Sequence, residues 1–429
     1  MTETSRVAIV QGLRTPFAKA GTVYSGLDPL DLGKLVVSEL IRRSGIDPAT
    51  IDEVIFGTVI PSVKAANLAR EIILGTGISP TVPSYTVTRA CASSSQAITN
   101  AADLIHRGYA HTVLAGGAES LSTVPILFSR KFSDALMAAS KQKTLPGKLS
   151  AFTGIRPKDL APDAPAIAES TTGLTMGQSA EKMAKENGIS REAQDRFALQ
   201  SHHRAAAAHQ SGRFAGEVMT VMVPPKYETV VDTDNIVRAE TTLDALAKLK
   251  PVFDRKYGTI TAGNSSPLTD GAAAVLLMSE ARAKELGVQP IGFLKSYAYA
   301  ALDPFDQLLQ GPAFAAPIAL DRAGLKLSDI DVIEMHEAFA AQVLSNIQWL
   351  GSEKFARERL GRSEAVGEID PEAINVTGGS IAIGHPFGAT GARIITTICN
   401  ELQRSGKQYG LATVCAAGAQ GSAIVLERE

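Results

Sequence analysis

The sequence of this chain contains an internal repeat. The segment RRSGIDPATIDEVIFG (42–57) resembles the segment DRAGLKLSDIDVIEMH (321–336). Four residues recur at a constant spacing of 279 positions: Arg43, Gly45, Ile51 and Asp52 return as Arg322, Gly324, Ile330 and Asp331. In each copy the pattern predicts a helix that ends near glycine, a short loop, and an apolar strand that begins after aspartate. The sequence therefore predicts two related halves.

A second pair of segments supports the repeat. ACASSSQAITNAADLIHRG (90–108) and GHPFGATGARIITTICNELQRSG (384–406) each read as a turn followed by an amphipathic helix that glycine ends. Each helix leads into an apolar strand, HTVLAGGAE (111–119) in one case and GLATVCAAGAQG (410–421) in the other. Strands that alternate with helices in this way predict an α/β fold.

The region between the halves has a different character. It contains KQKTLPGKLSAFTGIRPKDLAPDAP (141–165), which is rich in Lys, Pro and Gly, and then a long helical stretch. A helix-and-loop insertion of this length is typical of a segment that covers a site. We therefore divide the chain into an N-terminal half (1–119 and 251–285), an inserted domain (120–250) and a C-terminal half (286–429).

Composition excludes several classes of function. The net charge is −2 and the pI about 6.4, so no basic surface indicates nucleic acid as a partner. No apolar run approaches the roughly 20 residues that span a bilayer, and MTETSRVAIV (1–10) lacks the apolar region of a signal peptide. Three cysteines without a CxxC pair predict neither a disulfide framework nor a zinc site. We expect a cytoplasmic protein without a metal.

Cys91 is the first candidate for chemistry. It follows the strand-like SYTVT (84–88) and precedes a helix, whose amide groups and dipole would lower the pKa of its thiol. Its small neighbours Ala90, Ala92, Ser93 and Ser94 would leave the sulfur reachable. The alternative is a small apolar residue in a core. The place of Cys91 between a strand and a helix leaves both interpretations open, the reactive thiol and the core residue.

Three further residues share this kind of position. His385 lies in a glycine-rich turn before a helix, Cys415 ends the strand GLATV, and His336 closes VIEM. The pattern predicts that all of them lie at strand-to-helix junctions, where open α/β sheets bind ligands. Singly, each is more often a loop histidine or a core thiol, but together they favour a site. Cys399 is predicted to pack on the apolar face of its helix. His202 and His203 are predicted to face solvent or to cap a helix.

In combination these blocks resemble the thiolase family over nearly the whole chain. The nucleophile loop matches around Cys91, and the blocks GHPFGATG and CAAGAQG match the family's GHPxGxxG and CxxGxxG. HEAFAAQVL, LTDGAAA and the insertion WLGSEKFARERLGRSEAVGEIDPEA resemble the degradative subgroup, in particular the beta subunit of the trifunctional fatty-acid oxidation complex. The resemblance implies a thiolase fold, with two βαβαβαββ halves in five α-β-α-β-α layers around an inserted domain.

It also implies a 3-ketoacyl-CoA thiolase that uses coenzyme A as a co-substrate and needs no other cofactor. Cys91 would be the nucleophile, His385 its base and Cys415 the second acid and base. His336 and His385 would stabilise the enolate oxygen, and the backbone N–H groups of Cys91 and Ala417 the tetrahedral intermediate.

For CoA, Arg238 and Ser266 match family positions near the nucleotide and the pantetheine. Thr175 and Ala245 stand where other members use a histidine and a serine, so the CoA contacts cannot be carried over as a set.

The resemblance leaves several points open. A biosynthetic acetoacetyl-CoA thiolase or an inactive lipid carrier or assembly subunit are the alternatives, and Cys415 argues against a ketoacyl synthase, which uses Cys-His-His. The expected assembly is a homodimer or a dimer of dimers, with a hydratase/dehydrogenase alpha subunit as a further partner and at most peripheral contact with a membrane.

Overall fold

The computed structural model describes residues 6–163 and 168–429. Residues 1–5, part of the stretch that argued against a signal peptide, and Ala164 and Pro165 of the Lys-rich segment lie outside this range. Within it, no helix combines the length and the apolar character that crossing a bilayer requires.

The elements follow the order that the repeat predicts. The N-terminal half contains β1 (Val7–Arg14), β2 (Ala18–Lys19), α1 (Pro29–Ser44), β3 (Glu53–Gly57), α2 (Leu68–Leu74), β4 (Ser84–Val87), α3 (Ser93–His106) and β5 (Thr112–Glu119). The inserted region contains β6 (Leu127–Phe128), α4 (Arg130–Lys141), α5 (Leu145–Ser150), β7 (Pro162–Asp163), α6 (Met176–Glu186), α7 (Arg191–Gln210), β8 (Val221–Met222), β9 (Val230–Val231) and α8 (Leu243–Ala247).

The chain then returns to the first half and continues into the second. The return consists of β10 (Thr269–Ser279) and α9 (Glu280–Leu286). The C-terminal half contains β11 (Gly292–Ala301), α10 (Gly311–Ala323), β12 (Val332–Met335), α11 (Ala340–Leu350), α12 (Glu353–Leu360), α13 (Ser380–Ile383), α14 (Thr390–Ser405), β13 (Tyr409–Ala416) and β14 (Gln420–Glu427).

The repeat is visible in the details of the fold. Helices α1 and α10 both end at a glycine in the left-handed conformation, Gly45 at φ 67° and Gly324 at φ 69°. The side chain of Asp52 accepts hydrogen bonds from the first two amides of the β5 region, and Asp331 does the same for Gln408 and Tyr409 at the start of β13. Two of the four repeated residues, the glycine and the aspartate, are therefore the helix cap and the strand anchor in each copy.

The two halves are joined through one pair of neighbouring strands and one central pair of helices. The main sheet runs in the order β12-β13-β14-β11-β1-β10-β5-β3-β4, and the antiparallel pairing of β1 with β11 joins the halves. The largest apolar cluster includes residues of α3, α14 and strands of both halves, while two further clusters lie under α1 and α2 and under α10 and α11. This arrangement confirms the predicted layering of helices and sheets, and it places the beginnings of α3 and α14 side by side.

The C-terminal copy differs from the N-terminal copy in the segment before its central helix. Where the N-terminal half has β4 before its central helix, the second half has the segment 361–379 and the short helix α13. Asn375, at φ 51°, makes one backbone hydrogen bond to Ile333 of β12 instead of a ladder. Glycines 378 and 379 follow, and such residues disfavour a continuous strand.

Candidate active site

Cys91 lies at a tight turn between β4 and α3. Ala90 has a φ of 43°, in the left-handed region that residues with a side chain seldom occupy. The Ser93 hydroxyl braces this turn, because it donates to the Ala90 carbonyl at 2.7 Å and accepts from the Arg89 amide at 2.8 Å. Cys91 as a residue is partly exposed, and access to its sulfur stays a prediction.

The small residues after Cys91 have a different role from the one that the sequence predicted. Ser93, Ser94 and Ser95 are buried, and the Ser94 hydroxyl accepts a hydrogen bond from the amide of Ala392 in α14 at 3.0 Å. A Cβ on Gly391 would collide with Ser95. The small side chains thus let the N-termini of α3 and α14 pack against each other, which brings the catalytic candidates of both halves together.

His336 and His385 meet at Cys91. The Cys91 sulfur and one ring nitrogen of each histidine lie within 4.8 Å of one another, and the two rings are 4.0 Å apart between centroids. Both histidines are buried, and neither Nε2 atom has a hydrogen-bond partner within residues 6–163 and 168–429. These three groups also form the set within the described chain that could ligate a metal. The absence of a metal from the working enzyme stays a prediction.

Cys415 approaches the same site from the second half. It is buried near the end of β13, opposite Gly421 of β14, and the Cys91 charge adds to burial in raising the pKa of its thiol. The prediction that all four residues follow strands and precede helices is therefore wrong for two of them. Cys415 leads into a β-hairpin, and His385 follows the short helix α13 and a turn at Gly384 (φ 110°).

The backbone amides predicted to bind an oxyanion lie at the sulfur. The N–H groups of Ala417 and Cys91 both interact with the Cys91 sulfur and favour its ionised form. Gly418 and Ala419 follow with positive φ angles of 79° and 54°, so the chain turns tightly just after Ala417.

Burial nevertheless has the largest effect on the pKa of the Cys91 thiol. It raises the pKa of Cys91 to about 12, against the lowering by the two amides, and nearby Glu119 adds to the increase. Burial and the charge of Arg393 lower the pKa of His385 to about 3, and the pKa of buried His336 also lies well below its usual value. Backbone amides lower the pKa of the thiol as predicted, but desolvation of the thiolate outweighs them, so the net lowering that the sequence predicts is not found. These shifts favour a neutral thiol and two neutral imidazoles in the resting site.

This protonation state has a consequence for alkylation. We expect the rate at which iodoacetamide modifies Cys91 to rise about tenfold per pH unit between about pH 7 and 10, because the reactive thiolate is a small fraction of the thiol there. Mass spectrometry of the modified peptide as a function of pH measures this rate. A rate that is already constant above about pH 6 would indicate a preformed thiolate–imidazolium pair and contradict the assignment.

Glu119 supports the site and was missed by the sequence analysis. It ends β5, fully buried, and accepts hydrogen bonds from the amides of Val59 (2.9 Å), Ile60 (3.0 Å) and Gly388 (3.0 Å). Burial raises its pKa to about 7. It ties the loop after β3 to the turn that follows His385. The sequence did offer a signal for Glu119, because it is the one acidic residue of HTVLAGGAE and stands at the end of that apolar strand.

A cavity of about 710 Å³ is lined by both predicted CoA contacts but by none of the four reactive residues. Its lining includes Arg238, Ser266, His202, Phe253, Leu249 and Leu268. Leu268 pairs through a backbone bridge with His385, which connects the wall of the cavity to the site. Ala245, which replaces a serine of other members, also lies in the lining.

The prediction that His202 faces solvent is wrong. His202 is 5% exposed and not solvent-facing, and its Nδ1 accepts a hydrogen bond from the Arg238 amide at 3.3 Å. Burial and the charge of Arg238 lower its pKa to about 4. His203, by contrast, is exposed as expected, and Cys399 is buried in α14.

Comparisons with known proteins agree with this arrangement. The family model described as thiolase, N-terminal domain, matches residues 7–281, and the model described as thiolase, C-terminal domain, matches residues 288–428. A 3-ketoacyl-CoA thiolase of Yersinia enterocolitica is 53% identical over 99% of this chain and 97% of its own length, and one of Escherichia fergusonii is 54% identical over the same shares.

Two solved structures share the fold over its full extent. An acetyl-CoA acetyltransferase of Bacillus anthracis superposes with a TM-score of 0.86, at 33% identity and full coverage of both chains. A human mitochondrial 3-ketoacyl-CoA thiolase gives a TM-score of 0.83, at 32% identity and 99% coverage of both. With two matching halves, one site at their junction and relatives of equal length, the chain belongs to the thiolase family.

Proposed function

We propose that this chain is a 3-ketoacyl-CoA thiolase of fatty-acid β-oxidation, which cleaves a 3-ketoacyl-CoA with CoA into acetyl-CoA and a shortened acyl-CoA. The observation that carries the proposal is that the Cys91 sulfur and one ring nitrogen of each of two buried histidines lie within 4.8 Å of one another. Among the described residues neither Nε2 has a hydrogen-bond partner, and Cys415 is close enough for Cys91 to affect its pKa. The names of the relatives at 53% and 54% identity favour the degradative reaction.

The first half-reaction forms an acyl-enzyme. His385 takes the proton of Cys91, and the sulfur attacks the 3-keto carbon of the substrate. The C2–C3 bond then breaks, so the acyl group stays on Cys91 and the electron pair leaves as the enolate of acetyl-CoA. Cys415 gives its proton to C2 of that enolate, and acetyl-CoA departs.

The second half-reaction returns the enzyme to its starting state. Incoming CoA loses its thiol proton to Cys415, and its sulfur attacks the acyl carbon on Cys91. The shortened acyl-CoA leaves, and His385 returns a proton to the Cys91 sulfur. A high resting pKa suits Cys415, because the group that protonates a carbanion must hold its proton until the enolate forms.

The oxyanions need donors that are already in place. The amides of Cys91 and Ala417 serve the tetrahedral intermediates, and His336 together with His385 serves the enolate oxygen. A donor of this kind is typically worth about 3 kcal/mol of barrier, because the site excludes water. The cavity beside the site, with Arg238 and Ser266, is the proposed place of the CoA moiety, and no further cofactor or metal is proposed.

We further propose a cytoplasmic homodimer or dimer of dimers, with a hydratase/dehydrogenase alpha subunit as a partner. Support comes from the inserted domain, where the large apolar side chains of Ile126, Met137 and Leu145 are more than half exposed. Such side chains in one region are typical of an interaction surface.

The test of the activity is CoA-dependent cleavage of 3-ketoacyl-CoA substrates from C4 to C16, followed at the absorbance of their enolate form. We expect turnover with substrates longer than C4. Activity confined to the C4 substrate would favour the biosynthetic acetoacetyl-CoA thiolase, and inactivity with every substrate, also with an alpha subunit added, would favour a carrier or assembly subunit.

A further inference from the structure

The two histidines of the site make different hydrogen bonds at Nδ1, and the difference assigns a proton position to each ring. A neutral imidazole carries one proton, so one ring nitrogen donates and the other accepts. Both rings are neutral here, because burial lowers both pKa values. In each case Nδ1 contacts a hydroxyl whose own partners decide the direction of the bond.

For His385 the hydroxyl belongs to Thr390, in the first turn of α14. Its oxygen lies 2.6 Å from His385 Nδ1, and the hydroxyl donates to the Pro386 carbonyl at 3.2 Å. The single proton of Thr390 is thereby used, so its oxygen accepts from Nδ1–H. The Nε2 atom of His385 is left with a lone pair, which is the form that a base for Cys91 requires.

For His336 the hydroxyl belongs to Ser380, at the start of α13, and the direction is reversed. Arg393 donates to the Ser380 oxygen at 3.2 Å, and the same oxygen lies 2.8 Å from His336 Nδ1. A guanidinium can only donate, so it leaves the Ser380 proton free to point at Nδ1. His336 then carries its proton on Nε2, which is the form that an oxyanion donor requires.

Arg393 is held for this task by Glu334 of β12, a buried acidic residue whose pKa burial raises to about 8. Arg393 is 1% exposed and donates to Glu334 at 3.1 Å, while its positive charge disfavours a second proton on either histidine. Arg393, Ser380 and His336 thus form one chain of hydrogen bonds that runs from β12 and α14 to the site.

We propose that Arg393, acting through the Ser380 hydroxyl, fixes His336 as the Nε2–H tautomer while Thr390 fixes His385 as the Nδ1–H tautomer. Two rings 4.0 Å apart then present opposite functions to the substrate, a proton donor and a proton acceptor. Ser380 and Arg393 are positioning residues for the thiolase reaction, so their kinetic role rests on the proposed function. The assignment of the tautomers does not.

The direct test is the long-range ¹H–¹⁵N spectrum of the wild-type protein labelled at its seven histidines. The signals are assigned by their loss in His336→Asn and His385→Asn. We expect a protonated Nε2 in His336 and a protonated Nδ1 in His385. The same tautomer in both rings, or a cationic His336 at pH 7, would overturn the proposal whether or not the protein is an active thiolase.

A matched pair of variants tests the kinetic role. Ser380→Ala removes the hydroxyl, and Ser380→Thr keeps it. We expect kcat to fall about 10- to 100-fold in the alanine variant, toward the loss seen when one oxyanion donor is removed. We expect KM to change much less, and the threonine variant to recover most of the activity. The His336 signal of Ser380→Ala should show the Nδ1–H form. An unchanged tautomer with unchanged kcat would refute the role of Ser380, and equal losses in both variants would show a packing effect instead.

Discussion

Replacement of Cys91 by serine is expected to abolish covalent acylation and to lower turnover by about 10⁴-fold or more, the scale seen when a catalytic nucleophile is removed. A hydroxyl has a far higher pKa than a thiol and is a weaker nucleophile, and the neutral Nε2 of His385 cannot compensate. Mass spectrometry after incubation with an acyl-CoA substrate detects the adduct, and steady-state cleavage measures turnover.

The matched control is Cys399→Ser, the same substitution at a cysteine buried in α14. Its acylation per folded molecule should equal that of the wild type. An acyl adduct of wild-type size and amount in Cys91→Ser would refute the assignment of the nucleophile.

Replacement of Cys415 by alanine is expected to separate the two half-reactions. Cys91 remains able to accept an acyl group, but turnover should fall about 10³-fold, within the range that a general acid or base contributes. In the proposed mechanism His385 must return the proton that it takes from Cys91 to the Cys91 sulfur, so it does not replace Cys415 in the proton transfers of CoA and the enolate. The acyl-enzyme should therefore accumulate.

Time-resolved mass spectrometry together with steady-state assays measures both quantities. Cys399→Ala serves as the control for loss of a buried thiol. Turnover near the wild-type rate in Cys415→Ala would contradict the acid and base role, and failure to acylate at all would contradict the expected separation of the two half-reactions.

The order of helices and strands could be predicted because the residues that end the helices and start the strands recur in both copies of the repeat. Gly45 and Gly324 end helices in a conformation that glycine adopts without strain, and Asp52 and Asp331 anchor the strands that follow. The four reactive residues stood out only as a set, because each ends a predicted strand or lies in a turn before a helix, where α/β folds bind ligands.

The chemistry of the site could not be predicted in the same way. The pKa of Cys91 depends on burial by residues of both halves, and a sequence window sees only the helix that follows. Arg393 and Glu334 read as one charge in an amphipathic helix and one in a strand, yet they pair in the interior. His202 looked like a surface residue because its helix, REAQDRFALQSHHRAAAAHQ, is polar over most of its length.

Position 57 in the first copy and position 336 in the second are equivalent, 279 residues apart, and one is glycine while the other is a histidine of the site. A Cβ on Gly57 would lie 2.7 Å from the backbone of Ser93, so this copy has no room for any side chain. The same position of the repeat therefore accommodates a side chain in the second copy only. The first copy uses it to bring the helix after the nucleophile close to β3, and the second uses it to place a histidine at the site.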